Sequence, residues 1–145
     1  MNQDFITKAA RIVEENSIQG GEYRGQICVL SLIDDEGFPT SSILTPSKAD
    51  GINWITFCTL MDENRAKRSI RCKRASVCFG TTAYCINLVG EIEIIASAEM
   101  KNEMWYGACK NWFTGIEDPN YVVLRFKTKR YKFFFNGEEV GGELD

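Results

Sequence analysis

The feature that most limits the fold of this chain is a recurrence of short runs of β-branched and aromatic residues, each bounded by turn formers. The runs are QICVLSLI, FPTSSILT, INWITFCT, ASVCFGT, CINLVGEIEIIA, YVVLRFK and RYKFFFN. Runs of this length and composition are strands. Asp34 to Gly37 is a turn between the first two, which predicts an antiparallel hairpin, and PSKADG turns the chain again before the third. Gly90 inside the fifth run predicts a bulge or a close backbone approach. Phe5, Ala9, Ile12 and Val13 recur at helical spacing behind candidate caps at Asn2 and Asp4, predicting an amphipathic helix over about residues 4 to 15 that ends before Gln19-Gly20-Gly21. ENRAKRSIRC has helix formers without Gly or Pro and predicts a short helix from Glu63 to about Cys72. Ser97 is a candidate cap for a helix from about Ala98 to Cys109, and NWFTGIEDPN is turn-rich. About seven strands with three helices make a mainly β (α+β) fold, an antiparallel barrel with peripheral helices, in preference to a doubly wound sheet. Neither GxGxxG nor GxxxxGK[ST] occurs, so nucleotide folds built on those loops have no support.

The 145 residues fit a single domain over 1–145, and a domain of this size buries roughly 70% of its unfolded surface without staples. Apolar residues at 44% and charged residues at 26% exclude disorder and a coiled coil as starting points. A net charge of -3 gives no global attraction to nucleic acid or anionic lipid, so any anion site must come from a local concentration of base. The N-terminal MNQDFITKAARIVEEN carries acids and lacks an apolar core, which predicts a mature start and a cytoplasmic protein. The longest uncharged stretch, Ala75 to Gly90, falls short of the ~20 apolar residues of a span, so no membrane segment is predicted.

Six cysteines stand at irregular spacings with no CxxC pair, and there is no histidine. Zinc and haem lose their usual ligands. The cysteines read as reduced thiols packed as small hydrophobes, with a catalytic thiol as the open alternative. Cys58 is the most tempting candidate, but without a CxxC partner or an imidazole its role is expected to be space-filling. The lack of histidine also excludes Ser-His-Asp and Cys-His hydrolases in their ordinary forms. An enzyme of this composition is expected to leave its chemistry to a bound cofactor.

Arg65, Lys67, Arg68, Arg71, Lys73 and Arg74 are six bases with no acid among them. On charge alone this is an anion site, a solvated basic helix face or a nucleic-acid patch. Its position, opening a helix just after a strand that ends at Thr59, favours the anion site, because free N–H groups and the macrodipole meet there. Asn64 can cap, and Arg65 and Lys67 can add charge-assisted bonds to a terminal phosphate ester.

The order of DEGFPTSSILT, INWITFCT, the basic ENRAKRSI helix, ASVCF, INLVGEIEII, EMWY and WFTGIEDPNYVVLRF covers nearly the whole chain. It resembles the pyridoxamine 5′-phosphate oxidase-like FMN-binding split-barrel family, its general-stress-protein branch above all. The resemblance implies an FMN-binding split barrel, an oxidoreductase that uses a small substrate or NAD(P)H, and a homodimer with FMN at the subunit interface. A non-catalytic flavin-binding or stress-related sensor module is the alternative. By position, Ser42, Ile43, Leu44 and Thr45 would contact the flavin ring and ribityl chain, largely through backbone groups, as would Phe57, Cys58 and Thr59. Asn64, Arg65 and Lys67 would hold the phosphate, with Ala66 the alternative occupant of the lysine position. Trp105 or Trp112 would line the isoalloxazine, or else serve as core or interface anchors. The chain departs from relatives at Ser42, where Arg is frequent, and it lacks the C-terminal Arg-x-His of the pyridoxamine oxidases proper, which argues against that activity.

Overall fold

A computed structural model describes residues 2–144. The elements run α1 (Asn2–Glu15), β1 (Cys28–Ile33), β2 (Pro39–Leu44), β3 (Lys48–Asp50), β4 (Trp54–Leu60), α2 (Asn64–Arg71), β5 (Arg74–Gly80), β6 (Tyr84–Ile95), α3 (Ala98–Met104), a 3-10 turn (Gly107–Asn111), β7 (Tyr121–Phe135) and β8 (Glu138–Glu143). The strands form one antiparallel sheet in the order β2-β1-β5-β6-β7-β4-β3, with β8 also on β7. This bears out the mainly β, antiparallel fold with peripheral helices that the strand pattern predicts.

Period-two alternation builds the interior. β1 turns Cys28, Leu30 and Leu32 inward, and β5 does the same with Ala75, Val77 and Phe79. Phe57, Ile86, Leu88, Leu124, Phe126 and Phe133 complete a continuous core, against which α1 packs Ala9 and Val13. Phe5 of α1 stacks on Phe135 with ring centroids 5.7 Å apart. A smaller cluster around Met104, Cys109, Phe113, Tyr121 and Val123 packs the 98–113 segment against the outside of β4 and β7. Among the described residues, no helix is long and apolar enough to cross a membrane.

Several local expectations change. YVVLRFK and RYKFFFN are one strand, β7, because Thr128 pairs with Gly90 and Arg130 with Val89, so the strand runs on through a one-residue bulge at Lys129. PSKADG, expected as a turn, contributes the short strand β3. The charged, glycine-containing segment Glu138–Glu143 pairs with the end of β7 as β8. The helix expected over 98–109 stops at Met104, because Trp105 takes an extended backbone, and resumes as the 3-10 turn. Ser97 caps α3 as expected, accepting a hydrogen bond from the Met100 N–H.

The bulge expected at Gly90 is present. The β6–β7 register shifts between Val89 and Gly90, which face Arg130 and Thr128, so Lys129 is the extra residue. A Cβ on Gly90 would collide with the Lys127 carbonyl. Gly90→Ala is therefore expected to destabilise the protein by about 3 kcal/mol through forced backbone movement, read as a fall in the urea unfolding midpoint. An unchanged midpoint would show that this close approach is not a constraint.

Candidate functional site

The sheet leaves β2 and β3 as its ends, and β2 fully buries none of its six side chains. Two adjoining hollows lie in the seam between β2, β4 and α2. One, about 430 Å³, is lined by Thr40, Ser41 and Ser42 of β2 together with Asp62, Asn64 and Arg68. The other, about 370 Å³, lies between Ile43, Leu44 and Thr45 on one side and Cys58, Thr59 and Leu60 on the other. Both are bounded by Glu63 and Arg65.

The first hollow is the polar end. Asn64 is the first residue of α2 and not its cap, which is Glu63, and the Glu63 side chain makes no cap hydrogen bond. Arg65 donates from Nη2 to Glu63 Oε2 at 2.5 Å, while its Nε is buried with no partner among the described residues. Arg68 donates to Thr40 Oγ1 at 2.7 Å. Lys67 does not line the first hollow but a neighbouring one with Asp34, Asp35, Glu36 and Arg71, which shares Asn64 and Arg68 with the first and in which Arg71 pairs with Asp35. Ser42, Asn64 and Arg65 thus line one hollow. Arg68, which sequence reasoning named among the bases but did not place at the phosphate, joins Arg65 in the first hollow and also lines the one that holds Lys67; its signal is helical spacing, since residues 65 and 68 share a face of α2. Ala66 is buried.

The second hollow is the apolar end. Tyr23, Ile27, Ile43 and Trp112 on its walls are 55%, 48%, 65% and 61% exposed, a concentration of accessible apolar surface that Tyr106 and Phe113 deepen. Phe57 keeps its side chain in the barrel core, so only its backbone is near the seam. Trp105 stays off the wall and packs on Tyr121, centroids 5.5 Å apart, and on Phe113 at 6.0 Å. Tyr23, Ile27, Tyr106 and Phe113 were not anticipated, since they come from loops whose approach only the fold determines.

Cys58 has a neighbour that the spacing of cysteines conceals: it packs against the cluster that holds Cys109 of the 3-10 turn, and the two thiols are electrostatically linked. The Cys58 Sγ lies 3.3 Å from the Met104 carbonyl and 3.5 Å from Tyr121 Oη. The link to Cys109, and then burial, push the Cys58 thiol well above the usual thiol range. Cys109 is lowered, first by that link and then by the Tyr106 N–H. The premise that Cys58 stands without a neighbouring thiol does not hold, but a group held protonated is a poor nucleophile.

No protein-family model matches the chain. The fold is nonetheless that of the pyridoxamine 5′-phosphate oxidase-like split barrels. A crystal structure of a protein related to general stress protein 26, of the pyridoxinephosphate oxidase family, from Clostridium acetobutylicum superposes with a TM-score of 0.83 at 20% identity, covering 100% of this chain and 98% of that one. General stress protein 26 of Bacillus subtilis (strain 168) is 29% identical over 68 residues, 47% of this chain and 49% of its own length, so the match spans about half of that relative. A haem-binding protein from Mycobacterium smegmatis superposes with a TM-score of 0.72 at 15% identity over 95% of this chain and 57% of its own. The resemblance drawn from sequence to the general-stress-protein branch therefore agrees with its structural neighbours.

Burial also raises the Cys28 thiol and the Tyr106 and Tyr121 phenols, and burial together with Cys85 pushes Cys78 up to about 11. In each the fold favours the neutral form, so the unfolded chain loses these protons first as pH rises. The stabilisation is complete below about pH 8.5, where unfolded thiols begin to ionise, and is lost on going higher. Cys109 opposes this as one group against several. The urea midpoint is expected to fall steadily from about pH 8.5 to 11, and a midpoint that rose over that range would contradict the assignment.

Proposed function

We propose that the chain binds FMN in the seam between β2, β4 and α2 and works as an FMN-dependent oxidoreductase on a small substrate or a nicotinamide. The observation that carries the reading is that the two hollows share Glu63 and Arg65 as walls: one, with hydroxyls, Asn64 and the unpartnered, buried Nε of Arg65, adjoins another lined by aromatic and apolar side chains. A phosphate at one end and a flat ring at the other match that polarity, and the volumes suit a cofactor of this size.

Arg65 and Arg68, with Asn64 and Ser42, would hold the phosphate, the guanidinium of Arg65 offering the fork that fits two phosphate oxygens. Ile43, Leu44, Thr45, Cys58 and Thr59 would hold the ribityl chain and ring through backbone groups, and Tyr106 and Trp112 would exclude water from the ring. When bound, the flavin supplies hydride exchange at N5. The exposed Tyr23, Ile27, Ile43 and Trp112 around the hollow support a homodimer in which a second copy covers the ring end. A haem reading gains nothing here, since the chain has no imidazole and the sulfur facing the hollow is held protonated.

Arg65→Ala with Arg68→Ala is expected to weaken FMN at least tenfold more than riboflavin, because only FMN presents the phosphate, in a titration followed by flavin fluorescence. Equal losses would remove the phosphate assignment. NAD(P)H oxidation by the FMN-loaded protein separates an oxidoreductase from a flavin-storing or sensing module. Cys58→Ser is expected to keep flavin binding and that oxidation within about tenfold, roughly 1.4 kcal/mol. A thousandfold loss of turnover with normal binding would make the thiol part of the mechanism.

A further inference from the structure

Glu63 stands at the junction of the two hollows and is used by neither. Its carboxylate accepts from Arg65 Nη2 at 2.5 Å and from Thr59 Oγ1 at 3.4 Å. It occupies the N-cap position of α2 with an extended backbone, φ -78 and ψ 156, yet it leaves the helix N–H groups uncapped and turns onto the arginine instead. The longer side chain of Glu is not among those that ordinarily cap from this position, which leaves the Glu63 carboxylate available to Arg65. Here the N–H groups of the first turn are left without a side-chain acceptor, and Arg65 has one edge filled and its buried Nε empty.

We propose that Glu63 is a resident anion that sets how strongly this site selects a phosphorylated ligand: in the free chain its carboxylate takes the place on Arg65 that a ligand phosphate would occupy, and it must swing out for phosphate to seat. The inference rests on the FMN reading of the site and deepens it. Charge makes the displacement necessary. The charged residues lining the first hollow are two acids, Asp62 and Glu63, and two bases, Arg65 and Arg68, while Arg71 pairs with Asp35 and Lys67 lines the neighbouring hollow instead. With Glu63 in place the hollow has no excess positive charge for a dianion, and with Glu63 gone it has one. Geometry makes the displacement feasible. The Glu63 side chain is 37% exposed, so its carboxylate regains water when it leaves, and its single contact with Arg65 is the sort of part-exposed pair that holds weakly. A phosphate presents more acceptor oxygens than a carboxylate, enough to fill both the Nη2 and the Nε of Arg65. An unphosphorylated ligand gains nothing from the exchange.

The test is a fluorescence titration of FMN and riboflavin against the full chain, Glu63→Gln, Glu63→Ala and Arg65→Ala, alone and combined with Glu63→Gln, with folding checked by circular dichroism. Both Glu63 variants are expected to tighten FMN at least tenfold and riboflavin less than threefold, and in the Arg65→Ala background Glu63→Gln is expected to change FMN less than threefold. Unchanged or weaker FMN binding, or an equal gain for riboflavin, overturns the proposal while leaving the FMN reading intact. Titration with inorganic phosphate by calorimetry separates the two ideas. If flavins bind none of these proteins the FMN reading falls, and Glu63→Gln must still tighten phosphate for the resident-anion assignment to stand; no gain there overturns it.

Discussion

The interaction on which the rest depends is the hydrogen-bonded ladder along β7. Its first half, from Tyr121, pairs with β4, its length from Val123 onward pairs with β6, and its last residues pair with β8. The start of this strand fixes the site. Asn120 accepts from Met61 N–H at 2.7 Å through its carbonyl and from Asp62 N–H at 3.1 Å through Oδ1, so the turn leading into α2 is anchored where β7 begins. Asn120 is itself held by Asp118 Oδ1 at 2.9 Å. The Asp118 carboxyl lies below the usual carboxylate range because the Thr114 N–H, and then that of Asn120, bond to it. A chain of backbone bonds thus runs from the 114–120 turn to the residues beside Arg65.

Tyr121 couples the same strand to the apolar end. Its Oη donates to the Lys101 carbonyl at 2.7 Å, and its ring packs between Trp105 and Phe113, 4.6 Å from the latter. The buried Lys101 crosses back to the Asp118 carbonyl at 3.0 Å. The segment that carries Tyr106, Cys109 and Trp112 is therefore clamped to β7 at both ends, which lets residues outside regular strands hold a wall of the hollow.

Sequence was most informative where one side chain in two had to be buried. The runs of β1, β5 and β6 and the second half of β7 carry that alternation, while β4 and the start of β7 are buried on both faces and were legible as short β-branched and aromatic runs; Gly90 marked the bulge because no side chain fits against the Lys127 carbonyl. β3 and β8 were illegible because three residues cannot display a period and a Gly-rich, acidic strand has no apolar face to show. In the site, the composition of α2 revealed the bases but not which of them face the seam, since a one-residue difference on a helix turns a side chain by about 100°. Lys67 and Arg68 differ in just that way. The Cys58–Cys109 contact was hidden for another reason: it joins β4 to a turn distant in sequence, and only the packing around Tyr121 brings them together.

The same packing bears on the readings that charge alone left open for residues 65–74. A solvated basic face, or one made for nucleic acid, keeps its bases free to reach outward and needs aromatic rings on an exposed strand beside them. Here Arg65 is engaged by Glu63, Arg68 by Thr40 and Arg71 by Asp35, so half of the cluster is committed within the fold. The rings of Tyr106, Trp112 and Phe113 converge on a hollow beside Arg65 and not on an open face. What remains is a local, directional cluster in a chain of net charge -3, with Arg65 and Arg68 lining one hollow beside Glu63 and Thr40.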